Sequence, residues 1–167
     1  MAKPAPYIAA RLTGEPIEAP VNKNAWAREV DAGAVVTFSG LVRATTKSGE
    51  PIDRLVLEVH PRMTQRSIEE ITAQGGARFD VMAINVVHRH GVLIPGDLIV
   101  WVAVASAHRQ SAFNCADYLM DRLKSEAVFW KREEGAFGRR WIEPTADDRA
   151  RLDRWSDNLS FAPDAVS

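Results

Sequence analysis

The sequence is short of cysteine, of lysine and of long apolar runs, and each shortage removes a class of function. Cys115 is the only cysteine, so no internal disulfide can form and the reducing cytoplasm is the expected compartment. The longest strongly apolar run, Leu98 to Ala107, has about ten residues, half of what a membrane-spanning helix requires, and no basic-then-apolar leader opens the chain. A soluble protein with no membrane partner is expected. An excess of either charge is also missing. The 21 basic and 22 acidic residues leave a formal net charge of -1, which offers no global field for nucleic acid. Any anion site must therefore be local. No GxGxxG, P-loop or nucleophile elbow occurs, and Ser106 and Ser111 near His108 lack an acidic third member for a triad.

The lysine shortage points somewhere. Only five of the 21 basic residues are lysines (Lys3, Lys23, Lys47, Lys124 and Lys131), so arginine serves wherever a generic positive charge will do. Burial can lower the pKa of a lysine and make it a nucleophile or proton carrier, whereas guanidinium stays charged. Lys124 and Lys131, seven residues apart, both adjoin apolar segments that could desolvate an ammonium. The blander reading is that Lys124 complements a helix C-terminus and Lys131 snorkels beside Trp130.

With 167 residues, 46% hydrophobic, the chain fits one domain able to bury about two thirds of its unfolded surface. Residues 1 to 21 hold Pro4, Pro6, Pro16 and Pro20 and read as an irregular or edge-pairing arm, followed by a short helix over Asn22 to Val30 anchored by Trp26. GAVVTFSGLVR (residues 33 to 43) reads as a strand with a bulge or close approach at Gly40. After a polar loop, IDRLVLEVH reads as a half-buried strand and residues 62 to 74 as a helix ended by Gly75-Gly76. Strands are expected at Val81 to His90 and, beyond a Pro95-Gly96-Asp97 turn, at Leu98 to Ala107, apolar on both faces and so central. Helix 111 to 124 presents Ala112, Cys115, Leu119 and Leu123, with Phe113, Ala116 and Met120 widening the stripe. AVFWKREE and RRWIEP read as extended segments, and residues 146 to 167 as a charged tail. The fold class that follows is α+β, with a mixed, mainly antiparallel sheet and packed helices in a single domain.

The junction Ser106-Ala107-His108-Arg109-Gln110-Ser111 combines a helix start with two cationic side chains. It reads either as a phosphate site or as a cap with two solvated polar residues. Arg132, Arg139 and Arg140 alternate with Glu133, Glu134 and Glu143 in a charged face, where only Arg140, next to Trp141, looks placed. His88 and His90 share one strand face but are too few for a metal, and none is expected. Cys115, on the apolar helix face, reads as a small buried hydrophobe.

Taken together, GAVVTFSGLVR, the PGD turn, SAHRQSAF, YLMDRLKSEAVFWKRE and GRRW resemble, in order and spacing, the molybdopterin synthase large-subunit family over roughly residues 30 to 145. The resemblance implies a sulfurtransferase of molybdenum cofactor biosynthesis with no cofactor of its own, acting as a homodimer within a heterotetramer. A small ubiquitin-like sulfur-carrier subunit would bring the sulfur as a thiocarboxylate on its Gly-Gly tail, and cyclic pyranopterin monophosphate would be the substrate. By motif, Leu41, Val42, Arg43, His108 and Arg109 match pterin- and phosphate-binding positions. Lys124 matches the essential lysine, Lys131 with Arg132 and Glu133 matches the triplet lining the same pocket, and Arg140 adds positive charge. Val128 stands where many members have proline, and Lys47 lies in an unmatched loop and is given no role. A non-catalytic scaffold for a Gly-Gly tail is the main alternative, and a general phosphate- or nucleotide-binding enzyme the third.

Overall fold

Side-chain alternation decides where each strand lies. The structure, a computed structural model, describes residues 4–18 and 25–156, with the backbone alone for residues 25 and 26. In chain order the elements are β1 (Tyr7–Thr13), α1 (Ala25–Glu29), β2 (Ala34–Leu41), β3 (Arg54–Val59), α2 (Pro61–Arg78), β4 (Ala83–Arg89), β5 (Gly91–Leu93), β6 (Leu98–Ser106), α3 (Arg109–Glu126), β7 (Phe129–Gly135), β8 (Gly138–Ile142) and α4 (Ala146–Asp153). They build two four-stranded sheets, ordered β1, β4, β6, β2 and β5, β3, β7, β8. Every neighbouring pair is antiparallel except β1 with β4. The expected class and pairing hold, divided between two sheets.

The central position expected for Leu98 to Ala107 is found, because both faces of β6 are covered. Val100, Val102 and Val104 join Ile84 and Val86 of β4 under α2 and α3, while Trp101 and Ala103 meet Val87 and Ile17 on the other side. Polar alternation would leave one of those faces with unpaired groups. The bulge expected at Gly40 is present as a register shift between Gly40 and Leu41, and a Cβ there would lie 2.7 Å from Val100 Cγ1. β4 runs through His90 directly into β5, and His88 stacks on Phe129 of β7 with ring centroids 4.1 Å apart. This places strands of both sheets around one point.

Three sequence readings need correction. Gly75 and Gly76 do not end α2, which runs on to Arg78. They are there for close packing: a Cβ on Gly75 would lie 2.9 Å from Leu119 Cδ2, and one on Gly76 would lie 2.7 Å from Ile8 Cδ1. Of the two readings of the N-terminal arm the edge-pairing one holds, since Tyr7 to Thr13 pairs in parallel with Ala83 to Arg89 at the edge of the first sheet. Phe113 does not widen the buried stripe of α3. It is 58% exposed, because Ala112, Cys115, Ala116, Leu119 and Leu123 already fill that interface. The supposed charged tail begins with α4, started by a capping box in which Thr145 and Asp148 bond each other's backbone N–H. α4 is docked on α3 by Arg154, which bonds Asp117 at 2.7 Å and Asp121 at 2.6 Å, and by the Trp155 indole N–H, 2.7 Å from Asp121. Phe79, Tyr118 and Trp155 pack edge to face beside these bonds. The expected Trp26 anchor, the start of the short helix at residue 22 and the tail after residue 156 lie outside the described residues.

Candidate functional site

The period of two along β7 sorts its charged residues before any ligand is considered. Phe129, Lys131 and Glu133 stand opposite Val59, Leu57 and Leu55 of β3, whereas Trp130, Arg132 and Glu134 stand opposite Glu58, Val56 and Arg54. Lys131 therefore projects on the face of the buried Leu55 and Leu57, and Arg132 on the reverse. Arg132 is fully engaged there, bonding Glu58 Oε1 at 2.6 Å and Glu134 Oε1 at 2.9 Å with its guanidinium 5.0 Å from the Trp141 ring. The strand thus separates Arg132 from the face that carries Lys131 and Glu133.

Lys131 is half-buried, and its ammonium is held below the ordinary lysine range. Burial is the main cause, and the positive charges of Lys124 and Arg43 add to it against the opposing Glu133 and Asp148. Behind it stands His88, whose pKa is pushed down to about 4, chiefly by burial, with Lys131 and His90 adding to the depression. At neutral pH the His88 ring is uncharged, and its Nδ1–H donates to the Arg89 carbonyl at 2.9 Å. The two histidines carry no metal motif, for among the described residues no three His, Cys, Asp or Glu side chains gather as a metal would need.

Lys124, in the last turn of α3, is 60% exposed, yet its Nζ lies 2.5 Å from Oδ1 of Asp148, whose side chain is only 7% exposed. Val42 is buried with Leu55, Leu57 and Leu93 and is pinned to the Pro95-Gly96-Asp97 turn: its N–H donates to the Asp97 carbonyl at 2.9 Å and its carbonyl accepts from Gly96 at 3.0 Å. Arg43 consequently emerges from a fixed backbone within electrostatic range of Lys131, and Leu41 lies exposed at the strand end. Arg140, opposite Glu133 on β8, is tied by a 3.0 Å bond to Glu50 and lies over the Phe137 ring. The segment before β7 is held without the family proline. Val128 donates its N–H to Ser67 Oγ and accepts from the Thr64 hydroxyl at 2.6 Å, and proline could not make the first of these bonds.

His108 and Arg109 sit apart from this cluster. His108 is the N-cap of α3 but makes no side-chain cap bond, and both residues are exposed. Arg109 and Lys124 stand fifteen positions apart on α3, a span of about 22 Å along the axis. One chain therefore assembles Arg43, Lys124, Lys131 and Glu133, and leaves His108 and Arg109 at the far end of the same helix. Chemically, the cluster offers two lysines and an arginine to an anion, and Lys131 can release a proton more readily than an ordinary lysine. A separate concavity of about 680 Å³, lined by Arg11, Ile17, Asn85 and Trp101, opens on the other face of the first sheet and carries none of these groups.

Residues 12–126 match the model of the family described as MoaE protein. The chain belongs to the MoaE family. It is 47% identical over 145 residues to the molybdopterin synthase catalytic subunit of Caulobacter vibrioides, an alignment that covers 86% of this chain and 95% of the relative. Among solved structures, molybdopterin cofactor biosynthesis protein E of Burkholderia multivorans matches with a TM-score of 0.74 and 36% identity, covering 90% of this chain and 98% of that one. A molybdopterin synthase of Staphylococcus aureus matches with a TM-score of 0.65 and 27% identity over 84% and 98% of the two chains. The MoaE match ends at residue 126, before Lys131 and all of α4.

Two residues that the structure sets beside the lysines, Asp148 and His88, were not among the candidate site residues. Asp148 could have been found, because Thr145-Ala146-Asp147-Asp148 has the Ser/Thr-x-x-acid pattern of a helix start. The approach of His88 to Lys131 had no such signal, since it depends on how the two sheets meet.

Proposed function

We propose that this chain is the catalytic subunit of a molybdopterin synthase, a sulfurtransferase of molybdenum cofactor biosynthesis. The observation that carries the reading is a half-buried lysine, Lys131, set with Lys124 and Arg43 in a protein whose one cysteine cannot serve as a sulfur donor. Cys115 is fully buried, and burial pushes its thiol up to about 12, so the reactive thiolate is absent at neutral pH. The sulfur arrives instead as the C-terminal thiocarboxylate of a small ubiquitin-like partner, and cyclic pyranopterin monophosphate accepts it in two successive transfers. In each transfer the thiocarboxylate sulfur bonds to the pterin, and water then adds to the acyl carbon of the partner and breaks its bond to sulfur, leaving a carboxylate. The negative charge develops on the acyl oxygen, where the Lys124 and Lys131 ammoniums stabilise it or deliver a proton. Arg43 binds the pterin with Leu41 and Val42, and Glu133 orients the lysines. Arg132, on the reverse face, supports the strand through its bonds to Glu58 and Glu134, and Arg140 flanks the pocket.

The working unit is a homodimer, one small partner on each chain, in the cytoplasm. His108 and Arg109 stand too far from Lys124 for one small substrate to touch both within a chain, so the second copy supplies the phosphate clamp. Among the described residues no helix is long and apolar enough to cross a membrane.

The test is single-turnover sulfur transfer with purified chain, thiocarboxylated partner and the pterin, with Lys124→Ala alongside. Product from the wild type and none from the variant is expected. Mixing Lys124→Ala chains with Arg109→Ala chains should restore part of the activity if the pocket is shared, and no recovery in verified mixed dimers would reject the shared clamp. Failure of the wild type to transfer sulfur would reject the function.

A further inference from the structure

The Lys124–Asp148 pair joins a mobile group to an immobile one. Lys124 carries four rotatable carbons into solvent, whereas the Asp148 carboxylate is nearly buried and has no freedom left. Its Oδ2 accepts from both the backbone N–H and the hydroxyl of Thr145, each at 2.8 Å, and its own N–H donates to Thr145 Oγ1 at 3.2 Å. The other oxygen, Oδ1, meets the Lys124 ammonium at 2.5 Å. The pair is not needed to attach α4, because Arg154 and Trp155 already bind Asp117 and Asp121 of α3.

We propose that Asp148 is a positioning residue for Lys124: α4 presents a fixed carboxylate oxygen that holds the ammonium beside Lys131 and offsets the repulsion between the two lysines. The inference rests on the sulfur-transfer reading for its consequence in turnover, but not for its electrostatics. Burial alone would raise the Asp148 pKa, yet the bonds from Lys124 and Thr145 outweigh it and bring the carboxyl down to about 2, so it stays ionised throughout the working range. Its negative charge also opposes the depression of Lys131, alongside that of Glu133. One carboxylate thus fixes where the first lysine stands and moderates how readily the second gives up its proton.

Asp148→Asn isolates this role, because an amide oxygen still accepts the Thr145 bonds while the group facing Lys124 becomes a neutral N–H donor. In single-turnover transfer the variant should lose about tenfold or more in rate with its apparent KM for the pterin within about twofold, and Asp148→Glu should regain part of the loss. The Lys124→Ala/Asp148→Asn double variant should be no slower than Lys124→Ala alone. A readout independent of turnover is acylation of Lys131 by acetic anhydride as a function of pH, followed by peptide mass mapping, whose midpoint should move to lower pH in Asp148→Asn. Wild-type transfer rates in Asp148→Asn, or a loss that adds in full to that of Lys124→Ala, would overturn the proposal. So would a loss that Asp148→Glu does not relieve and that follows a lowered melting temperature. Should the wild type itself transfer no sulfur, the functional reading fails, and the acylation midpoint alone decides: a shift upholds the coupling of Asp148 to the lysines and an unchanged midpoint rejects it.

Discussion

Replacing His88 by asparagine tests whether the site is built on a histidine that the fold keeps neutral. In the unfolded chain the imidazole takes up a proton near its ordinary 6.5, whereas in the folded protein it does so only at about 4. Between those values the unfolded state binds a proton that the folded state does not, so stability falls as pH falls through the window and levels off below it. At about 1.4 kcal/mol per pH unit the loss comes to about 3 kcal/mol, a large part of the roughly 5–15 kcal/mol that holds a domain of this size. Asparagine places an N–H where Nδ1 now donates to Arg89 and removes the titrating ring. Its cost from the lost stack on Phe129 is independent of pH. Urea unfolding at pH 7, 6, 5 and 4.5 gives the assay. The wild type should lose stability more steeply than His88→Asn, by nearly one proton's slope, until the two curves approach each other. Parallel curves would refute the reasoning, since they would mean that His88 protonates as freely in the folded protein as in the unfolded one.

Other perturbations separate packing from chemistry. Gly75→Val drives a branched side chain into Leu119 and Cys115 and should cost about 1–3 kcal/mol or more, read as a lowered urea midpoint at unchanged m. Cys115 should resist a thiol reagent such as 5,5′-dithiobis(2-nitrobenzoic acid) at pH 8 in the native protein and react fully in guanidinium, while rapid native labelling would contradict its burial. Arg109→Ala should raise the apparent KM for the pterin roughly 10- to 100-fold through loss of charge-assisted bonds worth about 1.5–3 kcal/mol, and an unchanged KM would move the phosphate elsewhere.

What could be read in advance was whatever a short window of sequence determines. β6 announced itself by being apolar at every position from Leu98 to Ala105, and Gly40 by interrupting a β-branched run. The apolar face of α3 was legible from spacing alone, except for Phe113, which stays exposed because smaller neighbours already fill the interface. Gly75-Gly76 misled because the same residue that stops a helix also lets another helix approach, and only the partner, Leu119, distinguishes the two. At the site, the scarcity of lysine singled out Lys124 and Lys131, and the structure brings the two within electrostatic range of each other. That Arg132 turns away from Lys131 follows from strand alternation and was legible once β7 was recognised, although a motif of three adjacent residues suggests a shared pocket. The separation of Arg109 from Lys124 is likewise arithmetic on a helix. His88, Asp148 and the docking of α4 depend on contacts between distant segments, which no local pattern contains.

The parallel pairing of β1 with β4 carries a consequence for synthesis of the chain. Tyr7 cannot find its partner until Ala83 has been made, and the wait lasts roughly 4–15 s at about 5–20 residues per second. During that interval Ile8 and Leu12 travel ahead of everything that will cover them. Such non-local closure is slow compared with the formation of α2 and α3. The outer margin of β4 stays open until β1 docks on it, and a chain lacking its first thirteen residues would present that margin, unpaired, to its neighbours.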